Sequence, residues 1–322
     1  MNMFQLLEEI KGAKSIGISG HIRPDGDCVG SCMALYLYLK KCVQPGTEVK
    51  VYLEAPADIF DTIACIDEIR EAAAETETLD VFFALDCESG RLGDAQRLFE
   101  EAGKRINVDH HISNCGCGMV NYIDAQASST SELVYDLMDP AQIDTEIAKA
   151  VYIGIIHDTG VFQYSNTSPK TMRIAAELIG YGFDFSALIE KTFYEKTYVQ
   201  SQIMGRALLE SIRFLDGRCI VSSVSRRLME FYHVTNRDLE GIVAQLRNIR
   251  DVECAIFMYE TDVLEYKVSM RSTDKVDVAK IAAYFGGGGH KKAAGCTMSG
   301  TFHDVVNNLS LQIEKQLDGE EG

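Results

Sequence analysis

The sequence predicts an α/β protein: a doubly wound, mostly parallel sheet joined by a helical linker to a smaller α/β domain, with the active site in the cleft between them. Three observations carry that prediction. Short, nearly continuous apolar runs alternate with amphipathic stretches through the first half of the chain, the pattern of buried parallel strands and crossover helices. Several of those runs end in Asp or His, which an open sheet delivers to the carboxyl edge where ligands bind. After a long polar, helical stretch from about residue 185 to 213, strand candidates resume in a different order. The expected boundaries are 1–184 for the first domain, 185–215 for the linker and 216–322 for the second domain.

Taken in order, 15–20 reads as a buried strand, and 28–41 as the helix that follows it. The loop between them, His21-Ile22-Arg23-Pro24-Asp25-Gly26-Asp27, places one imidazole and two carboxylates in a single tight turn. Pro24 fixes its own φ, and Gly26 offers backbone angles its neighbours resist. Carboxylates this close repel or share a proton unless a cation sits among them. Alone, the turn reads equally as a solvated, Asp-rich loop. A second strand is expected at 49–53, a helix at 59–74, and a third strand at 80–86 ending in Asp86. A return helix is expected at 91–102. The strand 105–108 then runs into Asp109-His110-His111. The hydroxyls of Ser128, Ser129, Thr130 and Ser131 can cap a helix reaching about Met138. Helical spacing from Asp144 ends in His157-Asp158, and Ser168-Pro169 can start a helix to about Ile179. In the second domain the strand candidates are 219–224, 254–259 and 264–270, and the helix candidates 236–247, 276–285 and 302–317. The run 286–295 holds four consecutive glycines followed by His290, Lys291 and Lys292. It reads either as a flexible link or as a place where backbone N–H groups approach an anion.

Composition narrows the function. At 322 residues with 46% hydrophobic content, the chain can bury the cores of two domains. No apolar run is long enough to span a bilayer, and the acidic, amphipathic start is unlike a signal peptide, so a cytoplasmic protein without membrane attachment is expected. The ten cysteines are scattered and lack paired zinc-site spacing, and read as reduced thiols; Cys115 and Cys117 form the one close pair. A formal charge of −17 argues against tracking along a long nucleic acid, which requires many neutralised phosphates. A small anionic substrate stays compatible, because bound metals can reverse the field inside one cleft. The composition leaves a homodimer open.

Four segments of the first domain therefore end in acid or imidazole: His21, Asp25 and Asp27; Asp86; Asp109, His110 and His111; and Asp158. Their number and mixed nitrogen and oxygen character suit two metal ions, with an activated hydroxide attacking phosphorus. No Gly-x-Ser-x-Gly elbow and no Gly-Lys-Ser or Gly-Lys-Thr phosphate loop is present, which removes two rival chemistries.

The spacing His-x-x-Pro-Asp-x-Asp, the isolated Asp86, the triplet 109–111 and Asp158-Thr159-Gly160 together resemble the DHH phosphoesterase family over nearly the whole chain. Ser269-Met270-Arg271-Ser272 and 286–290 resemble segments of the DHH-associated domain. Within the family, the length and both domains are most similar to the bacterial nanoRNase/pAp-phosphatase group. The resemblance implies hydrolysis of very short RNA to mononucleotides and of adenosine 3′,5′-bisphosphate to AMP. Cyclic or linear dinucleotides are the alternative substrates, and a catalytically silent nucleotide-binding module the alternative function. It further implies two divalent ions, Mn2+ foremost with Mg2+ or Co2+ as substitutes. One would sit on His21, Asp25 and Asp86, and the other on Asp27, Asp86, His110 and Asp158, with Asp86 shared. His111 would assist the leaving oxygen and Asp109 would orient the histidines. Arg271, Gly288, Gly289 and His290 would hold the substrate's far phosphate, with Arg91 and Lys291 as lesser candidates. His157 is expected to be packed rather than ligating.

Overall fold

The first sheet consists of β1 (Ser15–Ser19), β2 (Glu48–Tyr52), β3 (Val81–Leu85), β4 (Lys104–Asp109) and β5 (Val120–Ile123). All pairings are parallel, in the order β2-β1-β3-β4-β5, so every strand ends at the same edge. The computed structural model describes residues 3–319, and the chain divides into two units, Met1–Glu195 and Lys196–Gly322.

In the first unit the helices are α1 (Met3–Glu9), α2 (Gly26–Cys42), α3 (Gln96–Glu101), α4 (Thr130–Asp136), α5 (Thr145–Asp158), α6 (Pro169–Ile179) and α7 (Phe185–Ile189). They cover both faces of the sheet. Val81, Phe83 and Leu85 of β3 pack with Ile16, Ile18, Ile106 and the apolar sides of α2 and α5. The alternating residues Phe82 and Ala84 pack with Leu98 and Phe99 of α3 on the other face. Helices α2 and α5 are apolar around most of their circumference, as helices enclosed between sheet and neighbours must be. They cross at glycines: a Cβ on Gly30 would lie 2.7 Å from both the Ala150 carbonyl oxygen and the Gly154 nitrogen. This close approach brings the start of α2 beside the end of α5.

The second unit holds a six-stranded sheet of β6 (Ile212–Phe214), β7 (Cys219–Val224), β8 (Cys254–Asp262), β9 (Glu265–Ser272), β10 (Gly288–His290) and β11 (Ala293–Ser299). Its order is β10-β11-β9-β8-β7-β6, antiparallel except for β7 with β8. Its helices are α8 (Tyr198–Leu209), α9 (Arg226–Tyr232), α10 (Ile242–Arg247), α11 (Val278–Tyr284) and α12 (Phe302–Leu317). One face packs on α11 and α12, the other on α8 and α10. Among the described residues, no helix is long and apolar enough to cross a membrane.

Several expected elements differ. The helix expected at 59–74 is three separate 3-10 turns, because Cys65 takes a left-handed conformation and Arg70 leaves to donate its N–H to Val51 beside β2. The return helix at 91–102 begins as 3-10 turns and becomes α-helical only at Gln96. The stretch 185–213 is broken between α7 and α8, where Thr197 and Gln200 form a reciprocal cap, and it is followed by the short strand β6. The helix at 236–247 splits at Gly241, which is left-handed at φ +86°. The strands β5, β6, β10 and β11 and the helix α9 lie outside the expected elements. The glycine run is not a free link. It turns into the edge hairpin β10–β11, where a Cβ on Gly287 would meet the Gly295 carbonyl oxygen at 2.2 Å.

Candidate metal centre

Strand ends and helix ends supply the acidic and imidazole groups of the first unit. His21 lies just past β1, Asp86 directly follows β3, and Asp109 closes β4 ahead of His110 and His111. Asp158 is the last residue of α5. Asp25 is the N-cap of α2, its side chain accepting from the Asp27 and Cys28 N–H groups, and Asp27 lies in that helix's first turn. In the turn itself the left-handed residue is Arg23 (φ 54°), not Gly26. What Gly26 provides is absence of bulk, since a Cβ there would lie 2.1 Å from the His157 ring. That ring packs further against Phe60 and Phe193. The Arg91 carbonyl accepts the Ile22 N–H and ties the turn to the loop after β3.

The distances describe two donor sets that share one residue. His21 Nε2 faces Asp25 Oδ1 at 3.7 Å and Asp86 Oδ2 at 3.4 Å. His110 Nε2 faces Asp86 Oδ1 at 3.7 Å, Asp27 Oδ2 at 3.9 Å and Asp158 Oδ2 at 3.5 Å. These separations exceed ordinary hydrogen bonds. They match donors about 2.1 Å from a common ion, which stand about 3.0–3.9 Å apart for angles of about 90–140°. The two oxygens of Asp86 divide between the two histidines. The other ring nitrogens point at carbonyls, His21 Nδ1 at Ile22 (2.9 Å) and His110 Nδ1 at Ala127 (3.4 Å), which leaves each Nε2 facing the carboxylates.

Charge in this cluster is unbalanced. His21, Asp27, Asp86 and Asp109 are buried, and Asp25 is the open member. Burial, together with the negative charges of Asp86 and Asp25, pushes Asp158 up to about 8. Burial, with Asp86 and Asp158, raises Asp27 well above the usual carboxylate range. Burial opposes charge on His21, but Asp25 and Asp86 outweigh it and push the imidazole up to about 12. Carboxylates this close and this buried raise one another's proton affinity, a repulsion that a bound cation relieves. The donor set is of the kind that binds divalent metal ions through mixed nitrogen and oxygen ligation.

Beside it, Asp109 is fully buried and holds His111: its Oδ1 accepts from the His111 backbone N–H (3.0 Å) and lies 2.7 Å from Nδ1. The Asn114 amide donates to Asp109 Oδ2 and to Asn107 Oδ1. Hydrogen bonding to Asp109 raises the His111 imidazole above its ordinary value, with Asp86 adding to it against burial.

Four residues near the centre escaped the sequence reading. Thr130 and Ser131 donate their backbone N–H groups to Asp27 Oδ2 (2.7 Å) and Oδ1 (2.9 Å), and the Thr130 hydroxyl donates to Asp86 Oδ1 (3.1 Å). The Asn166 amide donates to Asp158 Oδ2 (3.2 Å) and to the Ser128 carbonyl (2.9 Å). Cys28, read as a core thiol, has its sulfur within 4.8 Å of donor atoms of His21 and Asp86. The Ser-Ser-Thr-Ser run is the sequence signal for Thr130, in which Ser129 caps the helix and the Thr130 hydroxyl reaches Asp86 instead. In the second unit, Arg271 of β9 pairs with Ala293 of β11, which pairs with His290 of β10, so Arg271 and His290 share one cross-strand row about 10 Å long. Gly288 and Gly289 lie in β10 beside them.

Residues 15–155 match the DHH family, N-terminal domain, and residues 216–317 match the DHHA1 domain. The bifunctional oligoribonuclease and PAP phosphatase NrnA of Thermus thermophilus is 31% identical over 316 residues, covering 97% of this chain and 92% of that protein. Among solved structures, an exopolyphosphatase-related protein from Bacteroides fragilis superposes with a TM-score of 0.89 at 25% identity, covering 99% and 97% of the two chains. RecJ of Thermus thermophilus in complex with Mn2+ shares the fold at 13% identity, with a TM-score of 0.55 over 98% of this chain and 54% of RecJ. With the strand-end donors, both domain matches and the Thermus relative in agreement, the chain belongs to the DHH family of phosphoesterases.

Proposed function

We propose that the chain hydrolyses short oligoribonucleotides to mononucleotides and adenosine 3′,5′-bisphosphate to AMP. One divalent ion would be held by His21, Asp25 and Asp86, and a second by Asp27, Asp86, His110 and Asp158. The observation that carries this reading is the division of Asp86, one oxygen toward His21 and the other toward His110. Ions in these positions would supply the Lewis acidity that activates water for attack on phosphorus and offsets phosphoryl charge; Mn2+ is the ion proposed, with Mg2+ or Co2+ as substitutes. His111 carries its proton to the leaving oxygen. Asp109 fixes the ring through Nδ1 and favours the protonated form needed for that transfer. The paired N–H groups of Thr130 and Ser131 orient the Asp27 carboxylate and favour its ionised form against the effect of burial. Arg271 and His290, with the Gly288–Gly289 backbone and Arg91, bind the substrate's other phosphate or terminus. The substrate class is supported by the activities in the Thermus relative's name. Ten unbridged cysteines fit the cytoplasmic setting expected from the sequence.

The test is a side-by-side rate comparison with Mn2+ on a diribonucleotide, a pentaribonucleotide, adenosine 3′,5′-bisphosphate, a cyclic dinucleotide and pyrophosphate. Turnover of the linear RNAs and the bisphosphate ahead of the other two is expected. Hydrolysis confined to pyrophosphate or the cyclic dinucleotide, or none at all, overturns the reading.

A further inference from the structure

Thr130 touches two carboxylates of the centre at once. It is fully buried, its hydroxyl donates to Asp86 Oδ1 at 3.1 Å, and its N–H donates to Asp27 Oδ2 at 2.7 Å. Both accepting oxygens are the ones turned toward His110 Nε2, at 3.7 and 3.9 Å. We propose that Thr130 is a positioning residue of the second ion's site, whose hydroxyl sets the orientation of the shared Asp86 carboxylate relative to Asp27. This inference rests on the two-ion reading of the centre.

Helix capping does not account for the hydroxyl. The N-cap of α4 is Ser129, whose side chain accepts from the Glu132 N–H, and the Ser128 hydroxyl donates to Glu132 Oε2. Thr130 is left with a different partner, a carboxylate from another strand end 44 positions away. The chemistry of the donor also fits. A carboxylate oxygen has two lone-pair directions, so one hydrogen bond to Oδ1 leaves the other direction for an ion. A neutral hydroxyl fixes the carboxylate without contributing a positive charge that competes with metal, as a lysine would. The β-branch of threonine restricts χ1 and so restricts where the hydroxyl points.

Asp86 needs such a restraint. Its backbone is left-handed at φ 60°, a conformation Asp tolerates but does not prefer. Its two oxygens must also face opposite ways toward two histidines. With the hydroxyl gone, the main chain and His21 still orient Oδ2, but Oδ1 loses its direct donor, so the loss falls on the second site.

Thr130→Val removes the hydroxyl while keeping shape and backbone N–H; Thr130→Ser keeps the donor. Purified full-length proteins would be titrated with Mn2+ by calorimetry and by low-temperature EPR, which distinguishes an exchange-coupled Mn2+ pair from a lone ion. The valine variant is expected to bind the second ion about 10–100-fold more weakly, the scale for losing a partner of a metal ligand. At Mn2+ levels that saturate the parent protein it would show the lone-ion signal. Thr130→Ser would restore the pair. Should the valine variant fail to fold, Thr130→Ala against Thr130→Ser gives the same contrast. A coupled pair of parental affinity in Thr130→Val, or in Thr130→Ala, overturns the positioning role and leaves the two-ion reading intact. Absence of a pair in the parent protein overturns both.

Discussion

Adding metal to the protein should expel protons in a countable number. At pH 7 an Asp158 carboxyl held at about 8 is about 0.9 protonated, and a His21 imidazole held at about 12 is fully protonated. Both must give up their proton to ligate, and Asp27, raised by burial and by Asp86 and Asp158, adds to the release. Binding at pH 7 is therefore expected to release about two to three protons, and metal affinity to rise by about two decades or more per pH unit near neutrality. At pH 9 Asp158 is only about 0.1 protonated and the count falls by nearly one. Calorimetric titration with Mn2+ in PIPES, HEPES and Tris reads the number as the slope of observed enthalpy against buffer ionisation enthalpy. Asp158→Asn should lower that slope by about one at pH 7. A slope of zero in the parent protein, or an affinity flat from pH 6 to 8, would refute the idea that these groups face one another without a cation.

Metal-free protein should grow less stable from pH 5 to pH 8. Asp158 is raised from 3.8 to about 8 and His21 from 6.5 to about 12, so across this window the folded chain binds more protons than the unfolded one, and stability declines as pH rises. Melting in chelator checks this; a higher melting temperature at pH 8 than at pH 5 contradicts it. Asp86→Asn removes the ligand common to both donor sets, so metal analysis should find neither site filled and turnover should fall by at least about 10²-fold, whereas Arg271→Ala should raise KM with kcat nearly kept. Gly30→Ala should cost about 1–3 kcal/mol by forcing α2 from α5, while Gly205→Ala, in α8 with nothing within 4 Å, should be neutral or stabilising; equal melting temperatures for the two variants would argue against the tight crossing. Raising salt from 50 to 200 mM should weaken substrate binding only modestly; a loss of about 10³-fold or more would indicate six or more phosphate contacts and a longer strand.

The sequence disclosed the centre more fully than the scaffold around it. Donors stand at the ends of apolar runs, and a parallel sheet has one carboxyl edge, so the sequence pattern by itself places His21, Asp86 and Asp109 together. The end of α5 at Asp158 was legible from helical spacing. What stayed hidden depended on contacts across long sequence separations. Thr130 looked like a cap because its acceptor, Asp86, is 44 residues earlier. Gly26 reads from the sequence as a residue of unusual backbone angles, because the His157 ring that excludes a side chain there comes from α5. The run 59–74 has helix-compatible composition, but pairing of Arg70 with β2 draws it out of a helix. The glycine run suggested ligand approach, whereas close hairpin contact between β10 and β11 already requires it.

The most direct test of the two-ion centre is a crystal of the full chain soaked in Mn2+ and measured at the manganese absorption edge. Two anomalous peaks about 3.5–4 Å apart are expected, one beside His21 and Asp25, the other beside Asp27, His110 and Asp158, with one oxygen of Asp86 on each. A single peak, or two peaks with Asp86 bound to only one of them, would contradict it.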